Sequence, residues 1–194
     1  MKIYQYKNYE EYVDAQTEAN VRKLKNIWVD EKTIKIICDK KSEAHDILCH
    51  GTRNATEQKY FLKFFPNANI IGTEISYTAK QFPMTIEWDF HEEKDEWKNK
   101  FDIVYSNAID HSYDPKKALN TWKNQLALNG SLFLEHGYAD SENHSQASDP
   151  LEISDLELRY LFDELNLNVV ETFDTTGIKG RCPSRVYMLK SKEE

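Results

Sequence analysis

Short apolar runs alternate along this chain with longer amphipathic stretches, and no other feature restricts the possible folds as much. Residues 45–50, 69–73, 84–88, 101–106 and 131–136 read as strands, and residues 55–65, 76–82, 115–128 and 154–165 as helices between or after them. Strands separated by helices favour parallel pairing through right-handed crossovers. The expected architecture is therefore an α/β, Rossmann-like three-layer sandwich around a doubly wound, mostly parallel sheet. Its end breaks the pattern. Runs 168–173 and 185–189 are separated only by a segment holding Gly177, Gly180 and Pro183, which reads as a hairpin and makes the last of seven strands antiparallel. Residues 8–28 and 30–38 read as two leading helices, giving an N-terminal helical cap at 1–40 and a sheet-bearing region at 41–194 within one domain.

A chain of 194 residues holds one full hydrophobic core. Its 25 basic and 33 acidic side chains leave a net charge of −8, poorly suited to a long phosphate backbone, so nucleic acid is an unlikely partner. The apolar runs are far shorter than a membrane span and the start of the chain has no signal-like stretch, which predicts a soluble, cytoplasmic protein. Cys38, Cys49 and Cys182 are widely spaced and form no CxxC pair, so they read as reduced thiols.

In a doubly wound sheet the ligand lies beyond the carboxyl ends of the strands. The first strand leads through Cys49, His50, Gly51, Thr52, Arg53 and Asn54 into a helix, a turn that lets backbone approach a ligand and offers free amides. The second ends at Glu74, about 20 residues past the glycine, where a carboxylate can accept both hydroxyls of a ribose. The third ends in Trp88, Asp89 and Phe90, an aromatic and acidic tip able to stack on a base and accept from its amino group. The fourth ends in Ser106-Asn107 and continues to Asp110 and His111; the fifth closes at Glu135-His136-Gly137.

Taken in order, Ile47-Leu48-Cys49-His50-Gly51, Gly72-Thr73-Glu74-Ile75-Ser76, Glu87-Trp88-Asp89, Phe101-Asp102-Ile103-Val104-Tyr105-Ser106-Asn107 and Leu128-Asn129-Gly130-Ser131-Leu132-Phe133-Leu134 resemble the successive motifs of class I S-adenosylmethionine-dependent methyltransferases. The resemblance runs from about Asp46 to Lys190. It implies S-adenosylmethionine as cofactor, with residues 49–54 at its methionine part, Glu74 on the ribose, Asp89 on the adenine amino group, Ile75 and Trp88 or Phe90 against the ring, and Asn107 near the sulfonium. One motif departs from the family. Where an acidic residue and GxGxG are usual, this chain has Cys49 and then Gly51, Arg53 and Ala55. The cofactor carries no pyrophosphate and asks less of that turn than a dinucleotide would, and Arg53 can pair with its carboxylate.

Methyl transfer needs alignment above all, and a base only where the acceptor must lose a proton. His111 and His136 follow the fourth and fifth strands and can take a hydroxyl proton near neutral pH. The expected reaction is therefore O-methylation of a sugar or another hydroxylated small molecule. Asp110, Asp114 and Glu135 are carboxylates of metal-binding type, but no compact spacing groups them, and no metal is expected. Tyr4, Tyr9, Tyr12 and Gln16 are candidate cofactor contacts from the cap, and the polar loop 138–150, with Ser141, Asn143, Ser145 and Ser148, is a candidate lid. Two other classes stay open: a partner subunit that kept the fold and lost the cofactor, and an NAD-dependent oxidoreductase, which the missing second and third glycines disfavour.

Overall fold

The alternation becomes a seven-stranded sheet in the computed structural model, which describes residues 1–137, 145–176 and 183–192. Strands β2 (Asp46–His50), β3 (Asn69–Glu74), β4 (Thr85–Glu87), β5 (Phe101–Ser106), β6 (Leu126–Gly137), β8 (Leu167–Thr175) and β9 (Ser184–Ser191) lie in the order β4-β3-β2-β5-β6-β9-β8. All pairs from β4 to β6 are parallel, and β9 runs antiparallel to both neighbours. The order reverses between β2 and β5, so the crevice above those two strands is the switch point. The hairpin glycines Gly177 and Gly180, together with Cys182, lie outside the described residues.

Period-two alternation divides the core. Leu48, Val104, Leu132 and Leu134 face α4 (Pro115–Asn124) and α5 (Asp155–Glu164), where Trp122 and Phe162 are fully enclosed. Ile47, Cys49, Ile103, Tyr105 and Phe133 face the other way, toward α2 (Glu31–Asp39) and α3 (Thr56–Phe64). Each such side chain contributes roughly 1.5–3 kcal/mol through burial. Helix α2 thus belongs to a sheet-covering layer, with Ile34, Ile37 and Cys38 turned inward.

Helix α1 (Tyr9–Lys23) is different. Asn8 caps its start, and its four buried residues are Tyr12, Gln16, Ala19 and Asn20, too polar for a core stripe. The helix lies across the ligand end of the sheet: Tyr9 Oη donates to Asp89 at 2.9 Å after β4, Tyr12 Oη to the His111 carbonyl after β5, and Thr78 Oγ1 donates to Asn20 after β3. The first residues add a strap, β1 (Lys2–Ile3) pairing antiparallel with β7 (Leu151–Glu152). Among the described residues no helix is long and apolar enough to cross a membrane.

Three expected boundaries move. The first helix stops at Lys23 instead of continuing to Trp28, because the Leu24 and Asn26 carbonyls are taken by the Asn54 side-chain amide. The helix expected over 115–128 ends at Asn124, since Leu126 already pairs with Phe101 as strand. Gly130 then allows the register shift: a Cβ there would meet the Phe101 carbonyl oxygen at 2.5 Å. The helix expected over 76–82 is a 3-10 turn, Tyr77–Gln81, capped by Ser76.

Candidate functional site

The turn after β2 is wound more tightly than its composition suggests. Gly51 has φ +71°, and a Cβ on it would lie 2.5 Å from Ala108 Cβ. Arg53 and Ala55 also have positive φ, 41° and 59°. Such backbone costs a residue with a Cβ about 1–2 kcal/mol. All three positions of the expected glycine pattern therefore keep glycine-like backbone, although two of them carry side chains. Hydrogen bonds hold the strained turn: Thr52 N–H donates to the Thr73 carbonyl at 3.0 Å, Arg53 N–H to Glu74 at 3.1 Å, and Asn54 Nδ2 to Leu24 and Asn26.

Above this turn a narrow cavity of about 40 Å³ runs under α1, bounded by Gly51, Arg53, Glu74, Ile75, Asp89 and Phe90 from the sheet side. Tyr12, Gln16, Ala19 and Asn20 of α1 close it, with Ala108 and His111. Glu74 accepts from the amides of Arg53 and Ser76, at 3.1 and 3.0 Å. Burial raises its pKa, against the lowering pull of the Ser76 amide and the Arg53 charge. Asp89 is held below the usual carboxylate range. Burial opposes its ionisation, but hydrogen bonds and charge from His91 and the Tyr9 hydroxyl outweigh it, with His91 Nδ1 at 2.6 Å.

The cavity continues past Gly51, Arg53 and His111 into a second chamber of about 300 Å³, which Thr52, Asn54, Glu57 and Asn107 also line. Two ionisable side chains there each bury an atom without a hydrogen-bond partner, Arg53 Nε and Glu57 Oε2. Glu57 is only 6% exposed, and burial lifts its pKa to about 8 despite the favourable Arg53 charge. Beyond Asn107 a third space of about 360 Å³ carries Asp110, Glu135, His136 and Asp149.

The two candidate bases stand differently. His111 Nδ1 lies 2.8 Å from the Ser148 carbonyl, which can only accept, so Nδ1 carries the proton and Nε2 keeps its lone pair. His136 Nε2 donates to the Ile153 carbonyl at 3.1 Å. The described part of the candidate lid, residues 145–150, is clamped from both sides. Tyr6 Oη and Gln16 Nε2 donate to the Ala147 carbonyl, and the Tyr4 amide to Pro150. Residues 138–144 of that loop, Ser141 and Asn143 included, lie outside the described residues.

Three expected cofactor contacts do not reach the cavity. Cys49 points into the α2–α3 core, where burial raises its thiol pKa well above the ordinary value. His50 turns to the opposite face, stacks on Trp122 and bonds Thr73 Oγ1 and Gln125 Oε1, and burial pulls its pKa down to about 4. Trp88 packs edge-on against Trp97 and donates its indole N–H to the Glu92 carbonyl. Alternation along a strand explains the first pair, since Cys49 and His50 must face opposite layers. Of the carboxylates considered for a metal, Asp114 caps α4 and Glu135 accepts from Tyr105 and Ser184. The ligand atoms of Asp110, His111 and Asp149 come within 4.8 Å of one another, but Asp149 already accepts from Ser148 and Gln146.

Sequence reading missed Asn20 and Glu57. Asn20 Nδ2 is buried and unpartnered at the cavity. Tyr12, Gln16 and Asn20 recur every four residues, a buried stripe with the wrong polarity for a core. Glu57 lies one turn before the fully buried Phe61 on the inward face of α3, beside the buried Thr56 and Gln58.

No family model and no curated protein matches the sequence. Solved structures do match in shape. A Burkholderia thailandensis 1,6-didemethyltoxoflavin-N1-methyltransferase, with 1,6-didemethyltoxoflavin and S-adenosylhomocysteine bound, superposes with a TM-score of 0.76 at 15% identity, over 97% of this chain and 93% of that one. The magnesium protoporphyrin IX methyltransferase of Synechocystis, with S-adenosylmethionine bound, gives 0.63 at 9% identity over 96% and 100%. A [4+2]-cyclase, SpnF, gives 0.67 at 9% identity over 95% and 94%. The fold is that of the class I S-adenosylmethionine-dependent methyltransferases, and the cyclase illustrates that one fold carries more than one chemistry.

Proposed function

We propose that this protein is an S-adenosylmethionine-dependent methyltransferase acting on a small polar acceptor. The observation that carries the reading is the pair of buried, unpartnered atoms on a guanidinium and a carboxyl, Arg53 Nε and Glu57 Oε2, lining one chamber beside the strained turn. A zwitterionic amino-acid end satisfies both, the carboxylate on Arg53 and the ammonium on Glu57. The strain at Arg53 and Ala55 supports the same conclusion, because left-handed backbone at side-chain-bearing residues persists where function requires the turn.

Bound, the cofactor would supply a methyl group activated on a sulfonium. Glu74 would accept from ribose hydroxyls, Asp89 from the adenine amino group, with Ile75 and Phe90 flanking the ring and Asn107 near the methionine end. Helix α1 would exclude water through Tyr12, Gln16 and Asn20. We take the acceptor to be a hydroxyl, as in a sugar or other hydroxylated metabolite. The support is His111: its Nδ1–H is spent on Ser148, which leaves Nε2 free to take the hydroxyl proton. His136, already donating to Ile153, would line the acceptor chamber rather than act as a second base.

Isothermal titration of ligand-stripped protein with S-adenosylmethionine, S-adenosylhomocysteine and NAD tests the reading. Micromolar binding of the first two and none of the third is expected, about −8 kcal/mol. Absence of heat with all three refutes it and leaves the partner-subunit alternative.

A further inference from the structure

Behind the Asp89 carboxylate runs a chain of hydrogen bonds that no step of the proposed reaction uses. His91 Nδ1 lies 2.6 Å from Asp89 Oδ1, and His91 Nε2 lies 2.7 Å from Ser112 Oγ. The His91 amide adds a second bond to the same Oδ1, at 2.9 Å. An ionised carboxylate oxygen can only accept, so Nδ1 carries its proton whether or not the ring is charged. Oδ1 is thus filled by two donors, while Oδ2 takes the Tyr9 hydroxyl at 2.9 Å.

The order acid, imidazole, hydroxyl is that of a hydrolase triad, but access decides against that reading. His91 and Ser112 are both fully enclosed, at 0% exposure, so neither meets a substrate. Of the three, Asp89 alone lines the cavity under α1. The imidazole is wedged behind it. Tyr113 lies on the ring with centroids 4.0 Å apart, Phe90 follows at 4.6 Å, and Tyr12 meets it edge-on at 5.9 Å. The backbone is pinned to α4, where Thr121 Oγ1 donates to the His91 carbonyl at 3.1 Å and Trp122 Nε1 to the Phe90 carbonyl at 3.0 Å. A packed ring with both nitrogens bonded is locked in one rotamer, and the carboxylate bonded to it is locked with it.

We propose that His91, held by Ser112, is a positioning residue that makes Asp89 select a 6-aminopurine over a 6-oxopurine. This role presupposes the cofactor reading and extends it from the group that touches the ring to the groups behind it. An ionised carboxylate accepts from an amino group and repels a carbonyl oxygen; a protonated one would donate to that oxygen and lose the distinction. Against the upward push of burial, the bonds and charge of His91 hold the Asp89 carboxyl ionised. They also occupy Oδ1, which leaves Oδ2, whose donor in this structure is the Tyr9 hydroxyl, for the amino group of a ligand.

S-adenosylhomocysteine and S-inosylhomocysteine, which differ at the 6-position of the purine, are titrated by calorimetry into ligand-stripped wild type, His91→Asn and His91→Gln. An Asn amide nitrogen falls where Nδ1 lies and a Gln amide nitrogen where Nε2 lies, so the first variant keeps the side-chain bond to Asp89 and the second loses it. Wild type should prefer the adenosine ligand by about a hundredfold or more. His91→Asn should keep that preference within about threefold, and His91→Gln should lose about tenfold or more of it through weaker binding of the adenosine ligand. Packing alone predicts the reverse order, because Gln is nearer His in size. Ser112→Ala removes one buried atom, should cost about two- to fivefold in selectivity, and carries the test if His91→Gln does not fold. No binding of either ligand by wild type overturns the cofactor reading and this role with it. Wild type that binds both ligands equally, His91→Asn and His91→Gln with the same selectivity, or, where His91→Gln does not fold, Ser112→Ala with wild-type selectivity overturns the positioning role and leaves the cofactor reading standing.

Discussion

Replacing Glu57 with glutamine keeps the shape of the side chain and removes the charge assigned to the ligand's ammonium. A hydrogen bond to a charged group contributes about 1.5–3 kcal/mol, so S-adenosylhomocysteine should bind E57Q roughly ten- to a hundredfold more weakly. 5′-Methylthioadenosine has the same adenosine and no amino-acid end; its affinity should stay within about twofold. The wild-type affinity for S-adenosylhomocysteine should also depend on pH. The carboxyl of the free protein ionises near 8, and only its charged form attracts the ammonium, so binding tightens by up to about tenfold per unit from pH 6 to 8. E57Q should lose that slope. Equal losses for both ligands, or an S-adenosylhomocysteine affinity and pH slope like those of the wild type, would refute the assignment.

The same substitution has a stability signature. Glu57 ionises near 8 folded against an ordinary 4.5, so the folded state holds more protons than the unfolded one between those values. Stability contributed by the neutral carboxyl is complete below pH 4.5 and is lost as pH rises to about 8. At about 1.4 kcal/mol per unit the loss reaches at most about 5 kcal/mol. Ligand-free E57Q should therefore match the wild type in urea at pH 5 and exceed it at pH 9. A variant less stable at both values would show that Glu57 is paired in the free protein.

Three other substitutions probe two parts of the site and the core beneath it. Glu74→Gln should weaken S-adenosylhomocysteine and 5′-methylthioadenosine alike, by about tenfold or more in calorimetry, because both carry the ribose; a selective loss would move Glu74 away from the sugar. His50 stays neutral to about pH 4, so the stability it contributes is complete above 6.5 and is lost as pH falls from there to 4, a cost of up to about 3.5 kcal/mol. His50→Gln should flatten that acid limb in urea melts, and an unchanged limb would contradict the buried neutral ring. Nitrogen-15 NMR should find the Nδ1–H tautomer at neutral His111; the Nε2–H form would remove the proposed base. Once an acceptor is identified, His111→Gln should lower kcat about 10²- to 10⁴-fold with S-adenosylhomocysteine affinity nearly intact.

The sheet was legible because strand and helix periods differ, and because buried parallel strands need apolar residues on both faces. Leu48 and Cys49 therefore announce a strand well, but not which of their neighbours would see the ligand. His50 shows the limit: position beside Gly51 suggested a cofactor contact, while pleating turns its ring toward Trp122 and Gln125. That Glu74 and Asp89 line the cavity was readable from their place at strand tips; that each also accepts structural hydrogen bonds, from the Arg53 and Ser76 amides and from Tyr9 and His91, was not. Helix ends were less so, because Asn54 reaching back to Leu24 and Asn26 is a contact across about 30 residues that no local pattern encodes.

The departure in the glycine motif is the place where composition and geometry part most clearly. Counting glycines suggests a turn that has lost two of its three, and with them the cofactor. The backbone contradicts that inference, since Arg53 and Ala55 keep positive φ and pay the steric cost. A turn with no remaining role would relax, because nothing in Arg or Ala favours the left-handed region and each relaxed residue regains about 1–2 kcal/mol. What prevents relaxation is the set of bonds around it: Arg53 N–H on Glu74, Thr52 N–H on Thr73, and the Asn54 amide on the end of α1. Each of those partners belongs to an element that also forms the cleft. The acid missing before Gly51 has its counterpart in Glu57, six residues later on the same turn-helix unit, and the side chain at 53 adds a cation that a glycine could not supply. On this reading the substitutions exchange backbone amides for a pair of side-chain charges, and the selectivity of E57Q between the two adenosine ligands measures how complete that exchange is.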